Sequence, residues 1–296
     1  MHIVILEEKY MIFETHAHLD FFANSDDNSV FYRICESCIE NNISKIVVPP
    51  ISFDSNFVIA DLLKGYEENI FQAIGLHPKE AINTILTNKK QEELLDLYRE
   101  KQNIVAIKTG LDFSKTKLQE AQIKHQIDSF RRLTIMAAEL NLGLILHIRD
   151  AWSQFLIEWE AIIKKLDDMN LKTPKTVIHC YNGRNLKETE EVINKGINFF
   201  GVGGKIFKDV SLRNTIKDLS LKCIVLETDS PYLQPEAYIP PDFISEYKKN
   251  SHRKLKGINT PQSLTLIAGE VANIKGIPIE KVIEEAYNNA MELFSL

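Results

Sequence analysis

The chain has 296 residues, of which 44% are hydrophobic and 26% are charged. This length and composition suit one large globular domain or two small ones. The formal net charge of −6 argues against a protein that binds nucleic acid through a broad basic surface. It does not exclude a nuclease in which metal ions in a cleft supply the positive charge. No apolar run approaches the roughly 18 residues that span a bilayer, and we expect a soluble protein of the reducing cytoplasm.

Short apolar runs rich in β-branched residues alternate with longer amphipathic stretches, which is the pattern of repeated β-α units around a parallel sheet. The pattern predicts eight strands, at Ile12–Thr15, Lys45–Pro49, Phe71–Gly75, Ile104–Lys108, Gly143–His147, Thr176–His179, Asn198–Val202 and Cys223–Glu227. It predicts intervening helices that include Val30–Glu40, Gln91–Lys101, Gln119–Leu140, Ser153–Asp168, Arg184–Lys195 and Ser211–Leu219. Eight strands with following helices are the count for a closed (β/α)8 TIM barrel of the α/β class, and an open doubly wound sheet is the lesser possibility.

The two ends of the chain depart from this alternation. Residues 234–262 hold four prolines and a basic run from Lys248 to Lys256, and this composition predicts a long loop after the eighth strand, on the active-site side of a barrel. Residues 261–294 predict two closing helices. We expect a single barrel domain over residues 1–296, in which Met11 is the native start and residues 1–10 are dispensable.

Histidines and one aspartate follow the ends of four predicted strands. His16 and His18 follow the first strand, and residues two apart on a strand point the same way. The fifth and sixth strands end in His147 and His179, and the eighth runs into Asp229. Catalytic residues of barrels come from the carboxyl ends of the strands, so these five side chains are expected to converge on one pocket.

These residue types predict a metal centre. Neutral imidazoles and a carboxylate are ligands that hold Zn²⁺, Mn²⁺ or a similar ion while leaving positions open for water. A divalent ion lowers the pKa of such a water towards neutrality. Asp229 is the candidate catalytic residue, because a carboxylate beside the water can both bind the metal and accept the proton.

Several sequence blocks resemble those of a known family. The blocks are FETHAHLD at residues 13–20, GLHP at 75–78, GLDF at 110–113, LHIRDA at 146–151, HCYNG at 179–183 and LETDSPYL at 226–233. In this order they resemble the signature blocks of TatD-type metal-dependent hydrolases, and the likeness covers nearly the whole chain from Met11. It implies a TIM barrel of the amidohydrolase superfamily with one or two divalent ions, Zn²⁺, Mn²⁺ or Mg²⁺. Characterised relatives are mostly deoxyribonucleases, often 3′-to-5′ exonucleases, and others remove D-amino acids from tRNA.

The resemblance also implies how the ligands are shared. His16, His18 and Asp229 would hold one metal ion, and His147 and His179 would hold the second. Glu227 and Thr228, which precede the aspartate, are expected to orient Asp229.

Two further residues are candidates for substrate binding. The resemblance places His77, in the GLHP block, beside the pocket, where it could contact a substrate phosphate. The alternative is a histidine that fixes its loop by hydrogen bonds. Arg149, in the LHIRDA block, is the second candidate, and its alternative is charge pairing that supports the site together with Asp150.

Lys108 departs from the family pattern. The block before GLD normally carries a glutamate that bridges both metals, whereas this chain reads Ile107-Lys108-Thr109-Gly110-Leu111-Asp112. An ammonium has no lone pair for a metal and is repelled by one. Three states are therefore open for Lys108: a carbamate formed with CO2 that restores a metal ligand, as in related barrels, a cation that replaces one metal, or a side chain turned out of the site.

Three functions follow from these alternatives. The favoured one is a metal-dependent phosphodiesterase that acts on nucleic acid ends, with DNA as the expected partner and a monomer as the expected state. The second is an amidohydrolase, lactonase or phosphotriesterase-like enzyme that depends on a carbamylated Lys108. The third is a non-catalytic subunit that depends on a protein partner.

Overall fold

Eight parallel strands, hydrogen-bonded in chain order, form the centre of the molecule. The computed structural model describes residues 10–23, 28–115, 117–183, 185–244 and 257–296. Each strand pairs with the next one along the chain, which is the order of a TIM barrel and confirms the predicted fold class. The strands are β1 (Ile12–Glu14), β2 (Ile43–Val48), β3 (Ile70–Gly75), β4 (Ile104–Asp112), β5 (Gly143–Arg149), β6 (Thr176–His179), β7 (Phe199–Val202) and β8 (Ile224–Leu226).

Helices follow the strands and cover the outside of the barrel. The predicted helices are present, and their ends agree with the structure to within three residues. The largest difference is an earlier start of α4, where the Thr87 side chain caps the helix by accepting a hydrogen bond from Lys90 N. The helices are α1 (Ser29–Glu40), α2 (Ser55–Leu62), α3 (Pro78–Ala81), α4 (Asn88–Glu100), α5 (Glu120–Leu140), α6 (Trp152–Asp168), α7 (Leu186–Asn194), α8 (Val210–Asp218), α9 (Leu264–Lys275) and α10 (Ile279–Phe294).

An apolar layer closes the barrel at the end where the strands begin. Every strand contributes to this buried layer, and α10 packs against it with Leu293 and Phe294. The strand members are Phe13, Val47, Phe71, Val105, Ile145, Val177, Phe199 and Val225. Because side chains two apart share a face of a strand, the residues two positions after Ala106, Ile145, Val177 and Val225 face the barrel interior at its other end.

That spacing places the functional candidates. His147 lies two residues after Ile145, His179 two after Val177, and Glu227 two after Val225. Lys108 follows Ala106, another buried member of the layer, by the same interval. The apolar layer therefore determines which side chains line the polar end of the barrel.

Strand β4 is longer than predicted. It continues four residues past Lys108 to Asp112, which pairs with Arg149 of β5, so Lys108 lies within the strand and not at its end. Gly110 permits this extension, because a Cβ there would lie only 2.0 Å from the carbonyl oxygen of His147. These additional paired residues bring Asp112 to the polar end of the barrel.

The ends of β1 and β8 are joined by a set of hydrogen bonds, which we call the seam. Thr15 N donates to Leu226 O at 3.1 Å, and Asp229 N donates to His16 O at 2.9 Å. The buried carboxylate of Glu14 accepts hydrogen bonds from His16 N at 2.9 Å and from Thr228 N at 3.0 Å. These bonds hold the first and last strands side by side at the polar end.

Some predictions concern residues that the structure does not describe. Residues 1–9 and the basic run from Lys248 to Lys256 lie outside the described ranges, so the dispensable start and the basic loop stay predictions. The two closing helices are present as α9 and α10. Within the described part of the chain, no helix combines the length and apolar character needed to cross a bilayer.

Candidate metal centre

Three imidazoles surround the Asp229 carboxylate at the polar end of the barrel. Asp229 Oδ1 lies 3.5 Å from His18 Nε2, 3.6 Å from His179 Nε2 and 3.9 Å from His16 Nε2. Ligand atoms of His16, His179 and Asp229 all lie within 4.8 Å of one another. Three nitrogen donors and one carboxylate at this spacing form a set that fits a single divalent ion.

Hydrogen bonds at the far ring nitrogens fix three of the histidines. His18 Nδ1 contacts Pro49 O at 3.0 Å, and His179 Nδ1 contacts Glu227 Oε2 at 3.0 Å. His147 is reversed, since its Nε2 contacts Asp112 Oδ2 at 2.9 Å. An acceptor at one nitrogen keeps the proton there and leaves the other nitrogen as a metal donor. His18 and His179 therefore present Nε2, and His147 presents Nδ1.

The electrostatics of the pocket favour a bound cation. Burial lowers the pKa of His16, His147 and His179, so these imidazoles are neutral ligands at neutral pH. Burial alone would raise the pKa of Asp229, but the neighbouring His179 and His18 hold that pKa below its usual value. An ionised carboxylate among neutral imidazoles is a donor set for a divalent cation.

An open cleft leads to these residues. Its volume is about 700 Å³, and the side chains of His18, His147, His179 and Asp229 form part of its lining. The cleft opens at the carboxyl ends of the strands, where barrel enzymes have their active sites. The arrangement can therefore admit a substrate to the proposed metal ligands.

The substrate-binding candidates both line this cleft. His77 Nδ1 accepts a hydrogen bond from Lys79 N at 3.2 Å, which fixes the start of α3, and its ring lies 4.5 Å from that of His147. Arg149 is exposed at the end of β5, next to Asp150. The hydrogen bond by which His77 fixes its loop is therefore present. Contact of His77 or Arg149 with a substrate stays a prediction.

The comparisons with known proteins agree on one family. The model of the TatD related DNase family matches residues 13–295. The chain belongs to this family. It is 28% identical over 239 residues to a protein from Pantoea ananatis named 3′-5′ ssDNA/RNA exonuclease TatD, an alignment that covers 79% of this chain and 82% of that protein.

Two further relatives extend the likeness over the full length. The chain is 25% identical over 290 residues to the Bacillus subtilis protein named uncharacterized metal-dependent hydrolase YabD, covering 97% of this chain and 100% of the relative. The crystal structure of YJJV, a TatD homologue from Escherichia coli K12, superimposes with a TM-score of 0.75 at 20% identity, covering 96% of this chain and 98% of that one. The predicted membership in the TatD-type hydrolases is confirmed.

Lys108, which departs from the expected block pattern, lies inside the site. The Lys108 side chain is fully buried, and its Nζ lies 3.5 Å from His16 Nε2. Burial lowers the pKa of Lys108 to about 7. Of the three states considered for this residue, the one in which the side chain turns out of the site is therefore contradicted.

Glu227 has a different contact from the one predicted. Its carboxylate orients His179 and accepts a hydrogen bond from Cys180 N at 2.6 Å, whereas we expected it to orient Asp229. The reason is the strand alternation, which directs Glu227 into the barrel beside the end of β6. Thr228 does fix the segment before Asp229, because its backbone N–H donates a hydrogen bond to the Glu14 carboxylate across the seam.

Two residues of the site were not assigned from the sequence. Asp112 binds His147, and Glu14 joins the strands that carry His16 and Asp229. Both belong to sequence blocks that resemble the family, GLDF and FETHAHLD, so the sequence marked them as members of family motifs without indicating their partners. Their contacts depend on the length of β4 and on the closure of the barrel, which composition does not show.

We predict that Glu227→Gln weakens metal binding by about 10–100-fold while the protein stays folded. The amide can place its NH2 group against His179 Nδ1, and the imidazole would then carry its proton on Nε2, where a metal ligand must have a lone pair. Titration with Mn²⁺ or Zn²⁺, monitored by calorimetry, measures this change. Glu100→Gln, at the exposed end of α4, is the matched control. Unchanged affinity in Glu227→Gln would contradict the assigned role of His179.

Proposed function

We propose that the chain is a metal-dependent exonuclease that removes nucleotides from the 3′ ends of single-stranded DNA or RNA. The observation that carries this proposal is the cluster of His16, His18, His179 and Asp229 in a TatD-family barrel, of which the last three line an open cleft. The Pantoea ananatis relative is named for this activity. DNA is the expected substrate, and the monomeric state and the cytoplasmic location stay predictions.

The four clustered residues would hold the first divalent ion. The fit rests on the three Nε2 atoms that face one carboxylate oxygen, and on the buried His16 Nδ1, which has no hydrogen-bond partner among the described residues. A bound divalent ion supplies a Lewis acid that withdraws charge from the scissile phosphate. Side chains of the cleft would transfer the proton and bind the phosphate.

Asp229 receives the proton of the attacking water. As the water oxygen bonds to phosphorus, the bond from phosphorus to the 3′ oxygen of the preceding nucleotide breaks. The Asp229 carboxylate takes up the proton of the water, and the departing 3′ oxygen takes a proton from solvent and becomes the new 3′ hydroxyl. His77 and Arg149, on the cleft wall, would contact the phosphate oxygens and hold the terminal nucleotide in place. Such positioning keeps the scissile phosphate against the carboxylate.

Lys108 is proposed to carry a carbamate. The buried amine, with its pKa near 7, is partly neutral at neutral pH, and a neutral amine adds to CO2 and releases one proton. The product has two carboxylate oxygens at the position where the family has its bridging glutamate. With His147 it would hold a second ion. His179, which the sequence assigned to that ion, has its Nε2 3.6 Å from Asp229 Oδ1 and would serve the first. An unmodified ammonium at this place does not fit a second ion. A single-ion site with cationic Lys108 is the alternative.

The nuclease activity predicts a specific pattern of products. A 5′-labelled single strand with a free 3′ end should shorten stepwise in the presence of Mn²⁺, Zn²⁺ or Mg²⁺, and a circular single strand should resist. Asp229→Asn should lower the rate by about 100-fold or more, whereas the exposed Asp168→Asn should not. Hydrolysis of lactones or carboxylic esters without any action on DNA or RNA would instead support the second function. Absence of both activities, together with stable binding to another protein, would support the non-catalytic subunit.

The carbamate predicts a signal that can be observed directly. Protein equilibrated with ¹³C-bicarbonate should show a carbamate carbon by NMR, and Lys108→Met should lack it. Metal analysis should then find two ions per chain with bicarbonate and fewer after CO2 is removed. Lys108→Glu should bind two ions without bicarbonate, because its carboxylate replaces the carbamate. Two bound ions beside an unmodified Lys108 would contradict the carbamate.

A further inference from the structure

A groove extends from the cleft across the mouth of the barrel. Two cavities adjoin the cleft, one of about 700 Å³ beside residues 204–211 and one of about 690 Å³ beside residues 231–236. Leu233 lines the cleft and both cavities, and Lys205 lines the cleft and the first cavity. We call the two cavities together the outer groove. It continues the path that leads away from Asp229.

The two chain segments that form the outer groove pack directly on each other. Gly204 lies so close to the second segment that a Cβ would be 2.1 Å from Leu233 O. The first segment follows β7 and the second follows Asp229, so both begin at the metal centre. A groove built on these segments has a defined position relative to the cleft.

Cations and apolar groups both line the outer groove. Lys205 and the exposed Lys208 provide positive charge. Tyr232 provides an aromatic ring that is 37% exposed, and it lines both the cleft and the second cavity. Further apolar lining comes from Phe207, Val210, Leu233 and Pro235. Exposed aromatic rings that stack with bases, beside lysines that contact the backbone, are the features of single-strand binding sites.

Two acidic groups at the outer groove already have partners. Asp209 caps α8, since its Oδ1 accepts a hydrogen bond from Leu212 N at 3.0 Å. Glu236 forms an exposed ion pair with Lys208 at 3.5 Å. A phosphate that reaches Lys208 must therefore compete with Glu236, whereas Lys205 lies nearer the metal centre, where it lines the cleft.

We infer that the outer groove binds the nucleotides that precede the 3′-terminal one. Tyr232 stacks with a base next to the scissile phosphate, and Lys205 and Lys208 contact the following phosphates. This inference rests on the proposed exonuclease function and adds to it a preference for longer strands. A chain with a net charge of −6 needs such local positive charge to retain a polyanion.

Substrates of increasing length test the inference. The value of kcat/KM is measured for a dinucleotide, a tetranucleotide and an octanucleotide with the same 3′ end. For the native protein it should rise with length. The double variant Lys205→Ala/Lys208→Ala should lower kcat/KM for the octanucleotide by about tenfold and reduce its dependence on salt, because two phosphate contacts are lost. The single variant Lys208→Ala, which leaves the lining of the cleft unchanged, should also lower the octanucleotide value. Its kcat/KM for the dinucleotide should stay within about twofold of the native value, which also shows that it folds.

Four further variants sharpen this test. Lys172→Ala/Lys222→Ala, which removes two exposed lysines from the opposite end of the barrel, is the matched control and should leave the length dependence unchanged. Tyr232→Ala should lower the octanucleotide value by about tenfold, and Tyr232→Phe should restore it, since stacking needs only the ring. Glu236→Gln should raise the octanucleotide value, because it releases Lys208.

The outcomes separate this inference from the function on which it rests. If the native protein cleaves all lengths with equal kcat/KM, or if Lys208→Ala lowers the value equally for short and long strands, the outer groove does not bind the strand. If no strand of any length is cleaved, the exonuclease function itself fails. A lower octanucleotide value in Glu236→Gln would also contradict the role of Lys208.

Discussion

The seam between β1 and β8 is the constraint on which the metal centre depends. His16 and His18 follow the first strand, and Asp229 follows the last, so more than two hundred residues separate them along the chain. The backbone bond from Asp229 N to His16 O and the bridge through Glu14 bring them together. The donor set therefore exists only when the barrel is closed, and we expect metal binding and closure of the barrel to stabilise each other.

The rest of the site follows from the packing inside the barrel. The apolar layer and α10 fill the end where the strands begin, and they leave the other end for polar side chains. The same strand alternation that directs His147 and His179 inward directs Lys108 inward as well. A lysine at this place must lose its charge, replace a metal or be modified, since the surrounding groups exclude water from it. The proposed carbamate would satisfy that requirement with an anionic metal ligand.

Much of this could be predicted from sequence, because the signals were local. The inward direction of His147 and His179 follows from strand periodicity alone. His16 and His18 lie beyond the end of β1 at Glu14, so strand periodicity does not explain their convergence, which depends on backbone hydrogen bonds to the segment after β8. The contact of Asp112 with His147 could not be predicted, because it depends on the continuation of β4 past Gly110.

Other features depend on distant parts of the chain. The partner of Glu227 depends on how two strands face each other across the barrel. The outer groove is formed by Lys205, Lys208 and Tyr232, which lie in separate segments that meet only in the folded protein. The state of Lys108 is a question of chemistry at the site, and neither the spacing of residues nor the register of strands determines it.

The most direct measurement of the metal centre is the anomalous difference map of crystals grown with Mn²⁺. We expect a strong peak within coordination distance of His16, His18, His179 and Asp229, at the point where the seam brings the first and last strands together. A peak bound elsewhere, with these four side chains free of metal, would contradict this expectation.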